Sequence, residues 1–523
     1  MVSPESTSAI RAFGDQILLW ALVLMMIART CSNMVTSDPD LWGHVLYGLD
    51  HLKSGQLARS DPYSYTARGA TWINHEWLSE LIFAWSWQQF GATGLWAIRL
   101  ILVATTMLIL VRLISESTRG LWCGVLTLAA CWIEMNRGFA IRPQLFTMAM
   151  LAVLLLAIRR IFERPTWPLA AAFSLPPLMC VWANLHGGFV VGLALLAFLL
   201  FHQVVEVARG RAPRRRALVT LAAVGVAMLS TLVNPYGWRL WVQVLAAPAG
   251  GRIGEWGSML SFHPLYLLVG FYATLALLAV ATPAMLRAGD WFEWGVLIVL
   301  AAAAIVQTRH GPLFCLAAAA WLPTYLEAAL PRLAVPPRFP RLFVAGVTAI
   351  ALLYAAGSHL GASGRPYRLL VPISSHPIDA YRFVRASGLH GNVLVDFDWA
   401  QSALWYLHDT CKIAYDGRFN TVYPRGVEDD YFRFHFGGAD WTGMLDRYDP
   451  QIVLMPRGWA AFEQMKRRSG WVAAYEGESR VSPLDGSDAT PVVFVRGGIR
   501  ASSASGGGPA AAGGVFEFGV ALN

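Results

Sequence analysis

Charge is scarce in this chain. Only 14% of its 523 residues are Asp, Glu, Lys or Arg, whereas 56% are hydrophobic, and the mean hydropathy is +0.46. This composition excludes an ordinary soluble enzyme and predicts a helical protein that crosses a membrane several times. The net charge of +8 comes almost entirely from arginine, because the chain has only three lysines. We attribute it to short arginine-rich loops between spans, which favours membrane lipids as partners and argues against nucleic acid.

Several chemical signatures are missing as well. The six cysteines form no visible disulfide framework, since five of them lie in or beside apolar runs. No P-loop, HExxH, CxxC or GxSxG pattern occurs, which counts against ATP-driven transport and soluble-type hydrolysis. The first apolar run has no small-residue cleavage site behind it, so we interpret it as an uncleaved anchor.

Long apolar runs are what the chain has instead. Eleven of them approach the ~20 residues that a helix needs to cross a bilayer. They cover residues 16–36, 93–114, 120–135, 143–161, 167–185, 187–208, 217–234, 264–284, 291–307, 310–330 and 342–360. Only the segment "NLHGG" separates the fifth run from the sixth.

Arginine sets the orientation of these spans. If the N-terminus is cytoplasmic, nearly every basic cluster falls on the cytoplasmic side, as the positive-inside rule requires. These clusters are Arg112 and Arg119; Arg159, Arg160 and Arg164; residues 209–216; Arg287; and Arg332, Arg338 and Arg341. The opposite side receives polar, turn-rich segments such as "SDPDLWGH", "WINHEW", "ANLHGG" and "QTRHGP". We therefore predict a multi-pass protein of the inner (cytoplasmic) membrane whose polar loops converge on the extracytoplasmic face.

The composition changes after about Gly361. Short apolar segments then alternate with helical patterns, as in "GNVLVDFD" followed by "QSALWYLHD", which predicts an α/β domain. The predicted fold is therefore a mainly α membrane domain over 1–360, with about eleven transmembrane helices and a long first external loop over 37–77. A periplasmic or extracytoplasmic α/β domain follows over 361–499, and residues 500–523 form a low-complexity tail.

The first external loop opens with two acids and a histidine, in "SDPDLWGH". Charged groups at the mouth of a membrane helix are costly, which points to a function, so Asp38 and Asp40 are candidate catalytic bases. The alternatives are that Asp38 caps the following helix and that Asp40 is a first-turn acid matching the helix dipole. His44 lies one turn after Asp40, so it either pairs with that acid or ligates a metal.

These motifs and the architecture together resemble the GT-C glycosyltransferases, and most closely the catalytic subunit of oligosaccharyltransferase with its bacterial and archaeal relatives. In that family an Asp-Pro followed by aromatics and a His or Asn occurs in the first external loop, where this chain has "SDPDLWGH". The family also carries Trp-Trp-Asp-Tyr-Gly at a strand-to-helix turn. Here "VLVDFDWAQSALWYL" has Asp398 and Trp399 at the comparable turn, without the Trp-Trp pair, and "AYDGR" follows.

The resemblance implies that the chain moves a sugar from a polyprenyl-phosphate-linked donor to an extracytoplasmic acceptor, which is a glycolipid, a polysaccharide or a protein. It also implies a divalent metal, Mg²⁺ or Mn²⁺. The family's second acidic metal motif is replaced here by "EMNRGFAIRPQ", whose acid is Glu134. The alternative function is a lipid or polysaccharide transporter or flippase without transferase activity. A transporter is expected to contain internal repeats, and the sequence has no convincing one.

Glycosyl transfer needs cations beside the departing phosphate and polar groups beside the acceptor. The candidate phosphate ligands are the cations of two external loops: Arg137, Arg142, Arg309 and His310. The alternative for Arg309 is a side chain that extends to the membrane interface. The candidate acceptor or substrate ligands are His44, His75, Glu76, His186, Glu255, Asp398 and Trp399. Asp396 and Asp416 are expected to form an acceptor-facing rim with Asp398 and Trp399, and the alternative for these four residues is strand-end capping and turn chemistry. The alternative for Glu76 is a helix-dipole partner, and the alternative for His186 is that it satisfies buried carbonyls.

Overall fold

We describe a computed structural model of the chain over residues 4–497, without 32–33, 119–121, 164–167, 247–255, 261–264, 332–345, 347–348, 351, 354–356, 358–367, 372–375 and 483–485. The chain divides into two compact units. The first contains Met1–Val35 and Ala92–Tyr367, and the second contains Thr36–Gly91 and Arg368–Asn523. The predicted first loop (37–77) therefore belongs to the second unit, together with residues 368–499 of the predicted C-terminal domain.

Helices dominate the first 330 residues. They are α1 (Pro4–Thr30), α2 (Leu41–Ser54), α3 (Trp77–Phe90), α4 (Ala92–Ser117), α5 (Trp122–Arg137), α6 (Gln144–Glu163), α7 (Pro168–Leu185), α8 (Phe189–Ala208), α9 (Arg214–Ser230), α10 (Arg239–Leu245), α11 (Leu265–Ala288), α12 (Trp291–Val306) and α13 (Gly311–Ala329). The short strand β1 covers Met34–Thr36, and a 3₁₀ turn, Thr308–His310, leads into α13.

Five of the described helices contain segments long and apolar enough to cross a bilayer: Ala92–Ser117, Gln144–Ile161, Phe189–Ala208, Leu268–Ala288 and Thr308–Ala329. Shorter apolar helices occur at Ile17–Thr30, Phe173–Leu185 and Trp291–Val306. Ten of the eleven predicted runs coincide with a helix, and the remaining run, 342–360, lies mostly outside the described residues. The chain is a mainly α, multi-pass membrane protein.

Helix α13 lies at the centre of the first unit. Its residues 311–323 are all buried, and α4, α5, α11 and α12 pack against it. Four consecutive alanines, residues 317–320, keep its cross-section small, which lets neighbouring helices approach as small residues do in membrane bundles. Gly311 at its first turn lies against Glu134, whose carboxylate a Cβ at this position would overlap.

The second unit adds an α/β segment to α2 and α3. Its elements are β2 (Arg368–Leu370), α14 (Ile378–Ala386), β3 (Gly391–Val395), α15 (Phe397–Leu407), β4 (Cys411–Ile413), α16 (Arg425–Phe436), α17 (Gly443–Tyr448), β5 (Ile452–Pro456), α18 (Phe462–Arg467), β6 (Trp471–Glu476) and β7 (Pro491–Arg496). Five strands form a sheet in the order β4-β3-β5-β7-β6. Strand β3 is parallel to β4 and β5, whereas β7 is antiparallel to β5 and β6. The predicted α/β character is confirmed.

Helix α2 is held between α3 and α15 by close contacts. Gly43 has no room for a Cβ, because the amide side chain of Gln401 on α15 lies against it, and Gly48 lies against the backbone of α3 in the same way. The fully buried Trp42 has its ring centroid 5.3 Å from that of Trp87 on α3 and 5.2 Å from that of Trp405 on α15. Truncating such a side chain to alanine lowers the free energy of unfolding by about 3–5 kcal/mol. The packing of Trp42 therefore holds α2 against α3 and α15.

Candidate active site

Asp38 and Asp40 lie in a tight turn directly before α2. The Asp38 Oδ1 accepts a hydrogen bond from the backbone N–H of Asp40 (3.0 Å), and the N–H of Leu41 donates to the Asp38 carbonyl oxygen (3.2 Å). The N-cap residue of α2 is Asp40, which makes no side-chain cap hydrogen bond. Asp38 therefore orders the turn before the helix rather than capping the helix itself. Both acids are half-buried.

The C-terminal segment contributes neighbours to this turn. A Cβ on Gly417 would lie 2.9 Å from the Asp40 Oδ1, so glycine lets the "AYDGR" loop lie against the acid without displacing its carboxylate. In addition, the Ser37 hydroxyl and the His376 Nε2 form a buried hydrogen bond of 3.1 Å. The second unit thus brings together the two segments that carry the family resemblance.

His44, Glu76 and Glu80 form a cluster on α2 and at the start of α3, with one ligand atom of each within 4.8 Å of the others. The His44 Nδ1 is 3.2 Å from the Glu80 Oε1 and 3.9 Å from the Glu76 Oε2. Burial alone would lower the pKa of His44, but the hydrogen bond with Glu80 and the charges of Glu76 and Glu80 raise it overall. Imidazole and carboxylate are ligands of divalent transition metals, so the donor set fits such an ion.

The residues around the cluster hold it in place. The Asn74 amide donates a hydrogen bond to the second oxygen of Glu80, which is only 3% exposed. The His75 Nε2 lies 3.7 Å from the Glu76 Oε1. Sequence reasoning named His44, His75 and Glu76 but missed Glu80. The signal was available, because Glu80 follows Glu76 by one helical turn and therefore shares its face.

Asp416, expected at an acceptor-facing rim, is buried in an ion-pair network. Arg418 donates to Asp416 through Nε (2.9 Å) and Nη2 (2.7 Å), and to Asp61 through Nη1 (2.6 Å). The Tyr423 hydroxyl donates to the Asp416 Oδ2 (2.7 Å). Asp416 is 0% exposed and Arg418 is 6% exposed, so these groups hold the loop in place and do not face solvent.

The "DFDW" turn after β3 has mixed exposure. Asp396 caps α15 by accepting from the backbone N–H of Asp398 (2.8 Å), and burial together with the charge of Asp398 raises its pKa to about 8. Trp399 is 3% exposed, and its carbonyl accepts from the Tyr381 hydroxyl (3.0 Å). Asp398 is exposed at the first turn of α15. Of this group, Asp398 is the side chain that a ligand can reach directly.

The candidate phosphate ligands belong to the first unit. The exposed Arg309 has its guanidinium 5.7 Å from the ring centroid of Trp256, and His310 beside it is half-buried. The Arg137 Nη1 donates to the Glu134 Oε1 (2.9 Å), which pairs this cation with the acid at the end of α5. Arg142 is half-buried, and Glu255 lies outside the described residues.

His186 fills the break between α7 and α8. Its Nδ1 accepts from the backbone N–H of Gly188 (3.0 Å) and is 2.8 Å from the Thr147 hydroxyl, which in turn accepts from the Trp182 indole N–H (2.9 Å). Because Nδ1 accepts from a backbone N–H, the ring proton is on Nε2. The histidine thus satisfies a backbone N–H at the turn, whereas the sequence alternative expected it to satisfy buried carbonyls.

Solved structures share this fold. The oligosaccharyltransferase of Archaeoglobus fulgidus in the apo form aligns with a TM-score of 0.50 and 12% identity, over 84% of this chain and 69% of that one. ArnT from Cupriavidus metallidurans aligns over 91% of this chain and 97% of that one. Its TM-score and identity are 0.53 and 15% in the apo state, and 0.51 and 16% when bound to undecaprenyl phosphate.

In its fold, this chain resembles the GT-C membrane glycosyltransferases. The resemblance seen in the sequence motifs is thereby confirmed for the fold, and the likeness of fold extends over 84–91% of the chain. Identities of 12–16% establish likeness of fold and leave the residues of the site to be argued from their own chemistry. No family model and no curated protein matches the sequence.

Proposed function

We propose that this protein is a glycosyltransferase that moves a sugar from a polyprenyl-phosphate-linked donor to an extracytoplasmic acceptor. The observation that carries this proposal is the fold match over 97% of ArnT, a protein whose structure has been solved with undecaprenyl phosphate bound. The half-buried Asp38 and Asp40, directly before α2, are the candidates for the base that such a transfer needs.

In the proposed reaction, Asp38 accepts the proton of an acceptor hydroxyl while the oxygen attacks the anomeric carbon of the donor sugar. The bond between this carbon and the phosphate oxygen breaks, and polyprenyl phosphate leaves with the electron pair. Attack from the opposite side inverts the anomeric configuration. The hydrogen bond from the Asp40 N–H fixes the orientation of the Asp38 carboxylate, which favours Asp38 as the base and leaves Asp40 as the second candidate.

We assign the negative charge of the leaving phosphate to Arg309, with His310, Arg137 and Arg142 as further cations. A guanidinium binds a phosphate through two parallel hydrogen bonds, which an ammonium cannot do. Arg309 is exposed, so its guanidinium can reach a ligand directly, whereas Arg137 pairs with Glu134.

His44, Glu76 and Glu80 would hold the divalent metal. One nitrogen and two carboxylate ligands suit Mn²⁺ or Zn²⁺ better than Mg²⁺, which prefers oxygen ligands and retains water. When bound, such an ion supplies positive charge near phosphate or sugar oxygens. Glu80 is kept in position by Asn74, and His44 is kept in position by α2.

The test of the function is transfer of a labelled sugar by the purified chain, supplied with a panel of undecaprenyl-phosphate sugars and membrane glycolipid acceptors. Asp38→Asn still accepts the hydrogen bond from Asp40 but has no basicity, so turnover is expected to fall by roughly 10²-fold or more with thermal stability unchanged. Asp440→Asn is the matched control, since Asp440 is exposed at a positive φ (58°) that Asn also tolerates.

Full activity of Asp38→Asn would assign the role of catalytic base to Asp40. Full activity of Asp40→Asn as well would overturn the mechanism. Absence of transfer by the native chain with every donor and acceptor would count against the function itself.

We propose further that the second unit lies on the extracytoplasmic side of the inner membrane, with the N-terminus cytoplasmic. Cysteine placed at the exposed Ser60 or Ser479 should react with an impermeant maleimide in intact cells. Arg211→Cys, in an arginine-rich loop, should react only after permeabilisation. Labelling of the native cysteines by the maleimide is expected to be low, because five of them are buried and Cys180 is half-buried. Reaction of Ser60→Cys only in permeabilised cells would reverse the orientation.

A further inference from the structure

A cavity of about 400 Å³ opens in the second unit beside the C-terminal half of α2. Tyr47, Tyr63 and Trp72 form an aromatic wall, and Asp50, Asn74 and Glu80 supply polar groups. The volume lies within the range of small-ligand sites, roughly 300–1,000 Å³. Sequence reasoning singled out none of these six residues as a ligand.

The polar groups of the cavity are held in position by the protein. The Tyr63 hydroxyl donates to the Asp50 Oδ2 (2.6 Å), and the Asn74 amide donates to Glu80. Groups that are ordered before a ligand arrives lose little conformational entropy on binding, which favours affinity. The cavity is therefore a built site and not a gap between mobile side chains.

The aromatic wall is packed against a buried cation. The Arg418 Cζ lies 5.4, 5.1 and 5.0 Å from the ring centroids of Tyr47, Tyr63 and Trp72. The ring faces turned towards Arg418 are already engaged by its guanidinium, so those faces offer no further cation–π contact to an ammonium ligand.

The cavity lining carries charges of both signs. Asp50 and Glu80 are carboxylates that repel an anion placed between them, whereas Lys53, which also lines the cavity, is exposed. Carboxylates that repel an anion are strong acceptors for neutral hydroxyl groups, and aromatic rings offer flat apolar faces to C–H groups. A molecule with hydroxyl groups around its edge can donate hydrogen bonds to the carboxylates. If it also has C–H groups on its faces, it can pack against the aromatic wall.

We propose that this cavity, lined by Tyr47, Asp50, Tyr63, Trp72, Asn74 and Glu80, binds a neutral sugar ring. The proposal deepens the proposed glycosyl transfer, on which its place in the reaction rests, by naming the site where one of the two sugars is held. Glu80 is shared with the cluster of His44 and Glu76, so a ring bound here lies beside that cluster. The sugar belongs either to the acceptor or to the donor, and the chemistry of the cavity suits both.

The binding test uses ligand-observed NMR on the purified full chain with neutral methyl glycosides of gluco, galacto, manno and arabino configuration. A dissociation constant of about 1 mM is expected for the preferred ring, which is the scale of a single small ligand. Ala58→Trp fills the cavity and should weaken binding at least tenfold. Thr71→Trp, which adds the same ring at an exposed position outside the cavity, should leave binding unchanged.

Asp50→Asn is a second variant that tests the same site if Ala58→Trp does not fold. It keeps an acceptor for the Tyr63 hydroxyl and removes the charge, so sugar affinity should fall several-fold while the melting temperature stays the same. Equal sugar binding by native chain, Ala58→Trp and Asp50→Asn would overturn the site. Binding of choline in the cavity, with none of the glycosides bound, would overturn the assignment to a neutral sugar.

Transfer kinetics identify the source of the sugar and separate the two proposals. In Ala58→Trp, a raised KM for the acceptor alone assigns the cavity to the acceptor sugar, and a raised KM for the donor alone assigns it to the donor sugar. Both KM values unchanged would remove the cavity from the reaction. If the native chain binds glycosides but transfers nothing, the proposed function fails and the sugar site stands.

Discussion

Arg418 and Asp61, 357 residues apart in the sequence, form a buried ion pair with 2.6 Å between Nη1 and Oδ1. Their side chains are 4% and 0% exposed, and Asp416 completes the arrangement at 2.7 Å from the Arg418 Nη2. One guanidinium thus pairs with two buried carboxylates from two distant segments of the second unit. Two acids without this cation would be buried and unpaired, which is the costly state.

Replacing Arg418 by Met should therefore lower the free energy of unfolding of the second unit by about 3–5 kcal/mol, the usual cost of removing one partner of a buried pair. The matched control is Arg385→Met. Arg385 pairs with Asp409 at 2.9 Å, but the side chains are 50% and 46% exposed, so about 0–1 kcal/mol is expected. Chemical denaturation of the full chain, followed by near-ultraviolet circular dichroism, measures both. An equal decrease of the free energy of unfolding in the two variants would contradict the larger contribution expected from the buried Arg418 network.

Asp396 predicts a pH dependence of stability. Burial and the charge of Asp398 raise its pKa to about 8, against an ordinary value near 3.8. The folded state therefore keeps a proton that the unfolded chain releases, so the free energy of unfolding falls between pH 4 and 8, by up to about 1.4 kcal/mol per pH unit. It levels off above the folded pKa.

Asp396→Asn has no such proton and can still accept the hydrogen bond from the Asp398 N–H. Its melting temperature should exceed that of the native chain at pH 8 by more than at pH 5. Asp398→Asn removes the neighbouring charge and should shift the decline in the native curve to lower pH. Native and Asp396→Asn curves that run parallel from pH 5 to 9 would contradict the assignment.

The cluster of His44, Glu76 and Glu80 predicts a response to divalent metal. Mn²⁺ or Zn²⁺ at 100 times its dissociation constant should stabilise the native chain by about 2.7 kcal/mol, because it binds the folded state alone. A double variant, His44→Ala with Glu80→Gln, should lose this thermal shift and the metal detected by elemental analysis. His390→Ala, which changes an exposed histidine elsewhere in the second unit, should keep both. A shift that persists in the double variant would place the ion elsewhere.

Arg309 predicts a selective effect on donor binding. Arg309→Ala removes a charge-assisted hydrogen bond worth about 1.5–3 kcal/mol, so affinity for undecaprenyl phosphate should fall roughly 10–100-fold. Arg309→Lys keeps the charge without the planar fork and should show an intermediate loss. Arg239→Ala, another exposed arginine of the first unit, serves as the control. Unchanged binding in Arg309→Ala would move the assignment to Arg137, Arg142 or His310.

Local patterns in the sequence predicted most of the helices and strands. The apolar residues of "DLWGHVLYGLDHL" and "LSELIFAWSWQQF" have helical spacing, and α2 and α3 occur there. The break at "NLHGG" separates α7 from α8. Strand β6 was missed, because its burial pattern alternates poorly and four of its six residues are exposed. Periodicity detects an element only when one face of it is buried.

The site was harder to predict, because its parts meet through tertiary structure. Asp416 was expected beside an acceptor, and nothing in "AYDGR" reveals that Arg418 turns back to it and to Asp61. Asp38 and His44 were found because they follow an apolar run within one short motif. Glu80 lies inside an apolar helix, so only its one-turn spacing from Glu76 marked it in the sequence, and its contact with His44 forms when α3 packs against α2.

The division of the second unit into two segments has a consequence for biosynthesis. Thr36–Gly91 leaves the ribosome early, but Arg418, Gln401 and Trp405, which complete its contacts, are translated only after the whole of Ala92–Tyr367. At about 5–20 residues per second, this delay lasts on the order of tens of seconds. During that time Trp42 lacks its partner on α15, and Asp61 has no cation from the C-terminal segment. The nascent loop therefore passes through an interval in which these aromatic residues lack their final partners, and a premature stop codon anywhere before Gln401 would leave it in that state permanently.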